Sequence, residues 1–238
     1  MGAQDGLVGA KADLANPRSK AKPMTDKAAI TLFHSPQTRS SGALTLLEEL
    51  GAPYDLCILN MKAGENRKPP YLAINPMGKV PAIKHGEALV TEQVAIFLYL
   101  ADLFPEAGLA PAISDTLRGP YLRWMAFYAA CYEPALVDRA AKHDQAPPAM
   151  STYGDWDTML GAVIGQLSQG PYILGERFCA ADVLWGGGLG WGTMFGIVPP
   201  NPVIGAYVER VSSRPAFVKV AAQDAQRAAE HEAALQPA

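Results

Sequence analysis

Cysteine and histidine are both scarce in this sequence. Its 238 residues include three cysteines, Cys57, Cys131 and Cys179, and four histidines. The cysteines lie far apart with no CxxC spacing and the histidines form no ligand pattern, which argues against a disulfide framework and against a metal centre. Free thiols fit a reducing, cytoplasmic setting. Charge is thin as well, with 20 Lys plus Arg against 23 Asp plus Glu and 18% charged residues in all. No run of Lys and Arg is dense enough to track a phosphate backbone, so no nucleic-acid partner is expected. The opening stretch MGAQDGLVGAKADLANPRSKAKP lacks a secretory apolar region, and residues 1–27 read as a mobile leader, with Met24 as a possible natural start. The segment from Cys179 to Pro200 is long and apolar, but Asp182, Gly186-Gly187-Gly188 and the closing Pro199-Pro200 suit a buried core helix and not a membrane span. What the chain does have is 49% apolar residues, enough for a sizeable core and too many for bulk disorder.

The local pattern divides the chain. AITLF, Ala29 to Phe33, is β-branched and aromatic and runs into the turn-forming His34-Ser35-Pro36-Gln37. Ala43, Leu46, Leu47 and Leu50 then fall at i, i+3, i+4 and i+7, with Gly51 placed to end a helix in the left-handed conformation. YDLCIL, Tyr54 to Leu59, completes a βαβ unit, followed by a charged and flexible connection from Asn60 to Pro70. A hairpin comes next, with a turn at His85-Gly86-Glu87. Its opening proline, Pro81, marks either an edge entry or a special turn with a cis bond. A helix from Thr91 stops at Pro105. Beyond Ser114 the pattern is helical throughout, over about 117–141, 156–167, 180–195, 203–211 and 216–234. The expected units are residues 28–104, a Pro/Gly/Ala-rich linker 105–114, and a helical unit 115–238.

A small βαβ–ββα unit with a proline opening its third strand, followed by helices, resembles the cytosolic glutathione transferase family. Four motifs carry the likeness in order: NPMGKVPAI, TEQVAIFLYLADLFP, GERFCAADVLWG and YVERVSSRPAFVKV. The resemblance implies a thioredoxin-like α/β N-terminal domain, an all-α C-terminal domain, glutathione as cosubstrate with no metal, a homodimer and a detoxifying transferase. It is of bacterial type without the cysteine of the S-P-x-x-C-S turn, since Arg39 stands there. A shared fold does not by itself imply the chemistry, so a binding or regulatory protein that keeps the shape alone is the alternative.

The same resemblance marks site residues. Lys79, Val80 and Pro81 correspond to the glutathione loop, where an unpaired strand edge can add the extended cysteinyl backbone. Glu92 and Gln93 open a helix, so free N–H groups can face the γ-glutamyl carboxylate while Glu92 attracts its ammonium. A thiol with pKa near ~8.5 is mostly protonated at neutral pH and needs a donor to stabilise its thiolate. Ser35, ahead of Thr38 and Ser40, is the expected donor, the latter two also fitting simple helix caps. Trp124, Tyr128 and Tyr132 share a helix face and are expected to line an apolar electrophile pocket, although a plain interface core fits Trp124 equally. Cys179-Ala180-Ala181-Asp182 has capping-box spacing and reads as structural.

Overall fold

The computed structural model describes residues 29–144 and 146–235. The leader expected over 1–27 lies outside them. Strand β1 (Ile30–His34) alternates buried and half-buried side chains, with Ile30 and Leu32 in the core. It leads into α1 (Arg39–Leu50), which buries Ala43, Leu46, Leu47 and Leu50 and ends at Gly51 with φ 62°. Strand β2 (Tyr54–Ile58) returns parallel to β1, as a helical crossover requires.

The connection after β2 is more ordered than its composition suggested. It forms a 3₁₀ turn at Glu65–Arg67 and a short helix α2 (Pro69–Leu72), the first entered through Gly64 at φ 72° and the second starting on a proline. Two bonds fasten it, Asn60 N–H to Glu65 Oε2 at 2.8 Å and Asn66 Nδ2 to the Gly78 carbonyl at 2.8 Å. Gly78 has φ 61°, and a Cβ there would lie 2.8 Å from the Asn66 carbonyl oxygen, so only glycine suits this approach.

Strands β3 (Ala82–His85) and β4 (Ala88–Thr91) complete a four-stranded sheet in the order β2-β1-β3-β4. Register does the functional work of the sheet. Phe33 lies opposite Ala82, and Ala82 opposite Thr91. The turn after β1, the residues before β3 and those after β4 are therefore gathered at one end of the sheet. Both α1 and the next helix, α3 (Gln93–Leu103), start at that end.

Past α3 the described residues are helical apart from isolated bridges at Tyr172–Gly175 and Leu174–Arg177. The helix expected over 117–141 has three parts: α4 (Arg118–Phe127), a π turn at Tyr128–Tyr132, and α5 (Glu133–Ala141). Then follow α6 (Trp156–Leu167), α7 (Ala180–Met194), α8 (Pro202–Ser212) and α9 (Pro215–Ala233). The apolar segment after Cys179 is the central core helix. Its glycines admit neighbours closely, since a Cβ on Gly188 would sit 2.5 Å from the Tyr128 hydroxyl. No helix among the described residues is long and apolar enough to cross a membrane. The architecture is a thioredoxin-like N-terminal domain joined to a helical C-terminal region.

Asp182 organises the start of α7. It is wholly buried and accepts from Ile173 N–H at 2.7 Å, Cys179 N–H at 2.9 Å and Tyr207 O–H at 3.0 Å. The Cys179 thiol also donates to it at 3.3 Å, so the cysteine at the cap acts as a donor. Burial outweighs these donors and pushes the Asp182 carboxyl up to about 6. Replacing it with alanine strands several buried donors. Asp182→Ala is expected to lower stability by on the order of 3 kcal/mol or more, read as a shift of the urea midpoint at unchanged slope.

Candidate functional site

The gathered end of the sheet holds most of the residues marked in the sequence. Val80 and Pro81 are joined by a cis bond, and ladder pairing begins only at Ala82, leaving the Val80 backbone outside the sheet. The Lys79 carbonyl accepts from Tyr71 O–H at 2.6 Å and from Asn75 Nδ2 at 2.8 Å, which steadies this segment while the Lys79 side chain is exposed. Glu92, just before α3, has φ 66° and ψ 119°, a backbone conformation that side-chain-bearing residues rarely adopt. Strained positions of this kind concentrate at functional sites. Gln93 donates from Nε2 to the Arg39 carbonyl at 3.1 Å, so its amide joins α3 to the start of α1.

The three hydroxyls after β1 differ sharply in their surroundings. Ser40 is fully buried, its Oγ within 2.8 Å of His34 Nδ1, 2.8 Å of Thr38 Oγ1 and 3.0 Å of both the Ser35 amide and the Ser35 carbonyl. Ser35 is 4% exposed and its carbonyl also accepts from Thr38 O–H at 2.8 Å. Thr38 is half-buried and caps α1, its Oγ1 accepting from the Ser40 amide at 3.2 Å. Of the three, Thr38 is the most accessible, and it sits at the positive end of the helix dipole.

A carboxylate from the far end of the chain locks this turn. Asp224, in α9, meets His34 Nε2 at 3.0 Å and accepts from Gln37 N–H at 3.0 Å and from the Ser41 hydroxyl. Gln37 has φ 57°, so the bond to Asp224 holds a residue in the left-handed region. Burial pushes the Asp224 carboxyl up, but His34, Ser41 and the Gln37 amide together outweigh it and hold the group below its ordinary 3.8. Neither His34 nor Asp224 was singled out in the sequence. The available signals were a histidine closing a buried strand and an acid within an Ala-rich helix.

The aromatic stripe is corrected by its burial. Trp124, Tyr128 and Tyr132 are 2%, 3% and 0% exposed and pack around Trp185 with ring centroids 5.1–5.7 Å apart. Tyr132 O–H donates to the Gly188 carbonyl at 2.9 Å and Tyr128 O–H to Glu133 Oε1 at 2.9 Å. Burial raises the Tyr128 phenol well above its ordinary value, so it remains a donor. These three form core, since a spacing of four and eight residues describes a buried face as well as a pocket wall. Glu133 is the group that sequence reasoning missed here. Its Oε2 accepts from Arg39 Nε at 2.8 Å and Nη2 at 2.6 Å, tying α5 to the first residue of α1. Ala130 and Val137, one turn to either side of Glu133, are exposed. An open depression of about 650 Å³ among Pro120, Arg123, Gln166 and Leu174 lies about three turns before Glu133, away from this end.

Comparisons with known proteins bear on the fold and the family. Residues 28–102 match the family model for the glutathione S-transferase N-terminal domain. A glutathione S-transferase-like protein of Aspergillus terreus, gedE, is 30% identical over 156 residues, spanning 59% of this chain and 68% of that protein. Among solved structures, a glutathione transferase from Methylococcus capsulatus superposes with a TM-score of 0.71 at 28% identity, covering 83% of this chain and 100% of the other. A sphingomonad glutathione S-transferase complexed with glutathione gives 0.69 at 28% identity, covering 82% and 98%.

The depressed Asp224 carboxyl fixes the sign of an acid effect. A group held below its unfolded value contributes stability that is in place above that value, 3.8, and is lost as pH falls through the lower native one. Asp224→Asn is expected to be less stable than the parent at neutral pH, with the gap closing on acidification. Urea midpoints taken in steps from neutral pH to below 3.8 check this; a constant gap would rule out the ionised carboxylate as the source.

Proposed function

The chain belongs to the glutathione S-transferase family, and on that footing we propose that it activates the glutathione sulfur at Thr38 for attack on a small hydrophobic electrophile. The observation carrying this reading is the register that puts Thr38, Val80 and Glu92 at one end of the sheet, with Gln93 bonded across to Arg39. The cysteinyl backbone of glutathione would pair with the free Val80 edge beside Pro81. Its ammonium would meet Glu92, its γ-glutamyl carboxylate the amides opening α3, and its glycyl carboxylate the exposed Lys79, which has no carboxylate partner among the described residues.

With the peptide seated in this way, the sulfur lies toward the start of α1. Thr38 takes the role first expected of Ser35, because Ser35 and Ser40 are buried within the turn. A hydroxyl donor and the helix dipole both favour thiolate over thiol. The thiolate then attacks carbon, forming the C–S bond as a leaving group departs or as the electrons of an activated double bond shift away. The same thiolate can reduce a hydroperoxide, two glutathiones giving disulfide, alcohol and water. Ala130 and Val137 supply the apolar wall for the electrophile in place of the buried aromatic residues, with the Arg39–Glu133 pair at its base. Residues 28–104 would supply the glutathione half and 115–238 the electrophile half. The functional unit is a homodimer in a reducing cytoplasm, two-fold pairing being the commonest closed arrangement.

Two measurements test this assignment. Glu92→Ala is expected to weaken glutathione binding by about 1–3 kcal/mol by calorimetry with the circular dichroism spectrum unchanged. Thr38→Val should raise the pKa of the bound thiol, followed by thiolate absorbance, and cut conjugation at neutral pH far more than at alkaline pH, where thiolate forms unaided. An equal effect from Ser35→Ala, with none from Thr38→Val, would return the role to Ser35. Sedimentation at micromolar concentration should give a dimer.

A further inference from the structure

Behind Thr38 runs a continuous line of polar contacts at hydrogen-bonding distance into the protein. Thr38 Oγ1 is 2.8 Å from Ser40 Oγ, Ser40 Oγ is 2.8 Å from His34 Nδ1, and His34 Nε2 is 3.0 Å from Asp224 Oδ1. Beyond Thr38 each member is 5% exposed or less. The line starts at the proposed sulfur and ends in a buried imidazole–carboxylate pair. We propose that His34 is the internal acceptor for the proton that glutathione loses on becoming thiolate, reached through Thr38 and Ser40.

The hydrogen bonds permit both states. An ionised Asp224 is only an acceptor, so His34 carries its proton on Nε2, and Nδ1 of the neutral ring accepts from Ser40 O–H. In that state the Ser35 carbonyl is served by Thr38 O–H at 2.8 Å. On ionisation the S–H bond breaks and its electron pair stays on sulfur. Thr38 O–H first turns from the Ser35 carbonyl to Ser40 Oγ, 2.8 Å away; the thiol proton then passes to Thr38 Oγ1, the Thr38 proton to Ser40 Oγ, and the Ser40 proton to His34 Nδ1. The imidazolium then donates to Ser40, Ser40 O–H turns to the Ser35 carbonyl at 3.0 Å, and Thr38 O–H is left to donate to the thiolate. No buried donor or acceptor in the line loses its partner in either state.

Two charged groups stand near the ring, and the carboxylate is the nearer of them. Asp224 faces His34 directly and is held in its ionised form by the same bonds that fasten the turn. The opposing group is Arg227, one turn along α9, whose Nη1 lies 3.5 Å from Asp224 Oδ1. It approaches the same oxygen that meets His34 Nε2, at a longer distance than the ring, and is hydrogen-bonded neither to that oxygen nor to the imidazole. On its other side the ring meets the Ser40 hydroxyl, which opens α1. In an addition reaction the stored proton can return along the line to the electrophile's carbanion. In a substitution it leaves to solvent with product.

This inference rests on Thr38 meeting the sulfur, and the test separates the two claims by counting protons. Thiolate formed on binding is measured by ultraviolet absorbance, and protons released to solvent by an indicator dye in weak buffer. S-methylglutathione, which has no thiol proton, supplies the baseline for every other group on the ligand. The intact protein should release fewer than about half a proton per thiolate, whereas Ser40→Ala and His34→Gln should release about one. A merely structural role for His34 would not alter that ratio. Because a buried histidine variant can fail to fold, the wild-type protein supplies a second reading, the ¹⁵N resonances of the His34 ring, which should move to the imidazolium position with glutathione and not with S-methylglutathione. One full proton per thiolate in the wild type, or an unmoved His34 ring, overturns the relay and leaves the activation by Thr38 standing. Binding without any thiolate absorbance overturns both.

Discussion

The contact on which the rest depends is the one between the Asp224 carboxylate and the turn that follows β1. That turn leaves Thr38 half-buried and Gln37 exposed, so it is not held by burial alone. Asp224 fixes it from behind, engaging His34, Gln37 and Ser41 with two oxygens. A carboxylate taken out of water is stable only if its lone pairs are filled, and here the partners that fill them are the residues needing to be held. Restraint of the turn and satisfaction of the charge are a single arrangement.

Around this contact α9 acts as a splint along α1. Arg214 pairs bidentately with Glu49 at 2.7 and 2.6 Å, and Lys219 meets Glu48 at 2.7 Å, at the far end of α1. Asn60 donates to the His231 carbonyl at 3.2 Å, and Lys62 pairs with Glu232 past the other end. The exposed pairs contribute little individually. Their value is positional, since they keep Asp224 opposite the turn, while Val220 is the apolar residue that α9 buries in the core.

How far the sequence could be read depended on the distance over which each feature is decided. The βαβ unit, the hairpin and the helices of the second half are short-range patterns of apolar spacing and turn residues, and they appear nearly at their expected limits. Val80-Pro81 and Glu92 were marked by the resemblance of their motifs, since their spacing alone fits a plain hairpin entry and an ordinary helix start equally well. The His34–Asp224 pair joins positions 190 residues apart, and no local periodicity announces a meeting of that kind. Tyr128 and Tyr132 were misread, and Trp124 left open between core and pocket, for a different reason. A helical stripe says which side chains share a face, whereas only the packing of α7, with its glycines pressed against the tyrosines, says whether that face is covered. Ranking Thr38 above Ser35 likewise needed their relative burial, which residue type alone does not supply.

The 190-residue separation between His34 and Asp224 also bears on how the chain matures during synthesis. The sheet and α1 emerge first, and at roughly 5–20 residues per second the ribosome needs on the order of tens of seconds more before the segment bearing Asp224 is made. Throughout that interval the turn after β1 has its own cap but no clasp, and Gln37 has nothing from α9 to hold it in the left-handed region. The nascent N-terminal half therefore has all the strands of its sheet well before it possesses a clasped turn, and that clasp arrives with one of the last helices to be translated.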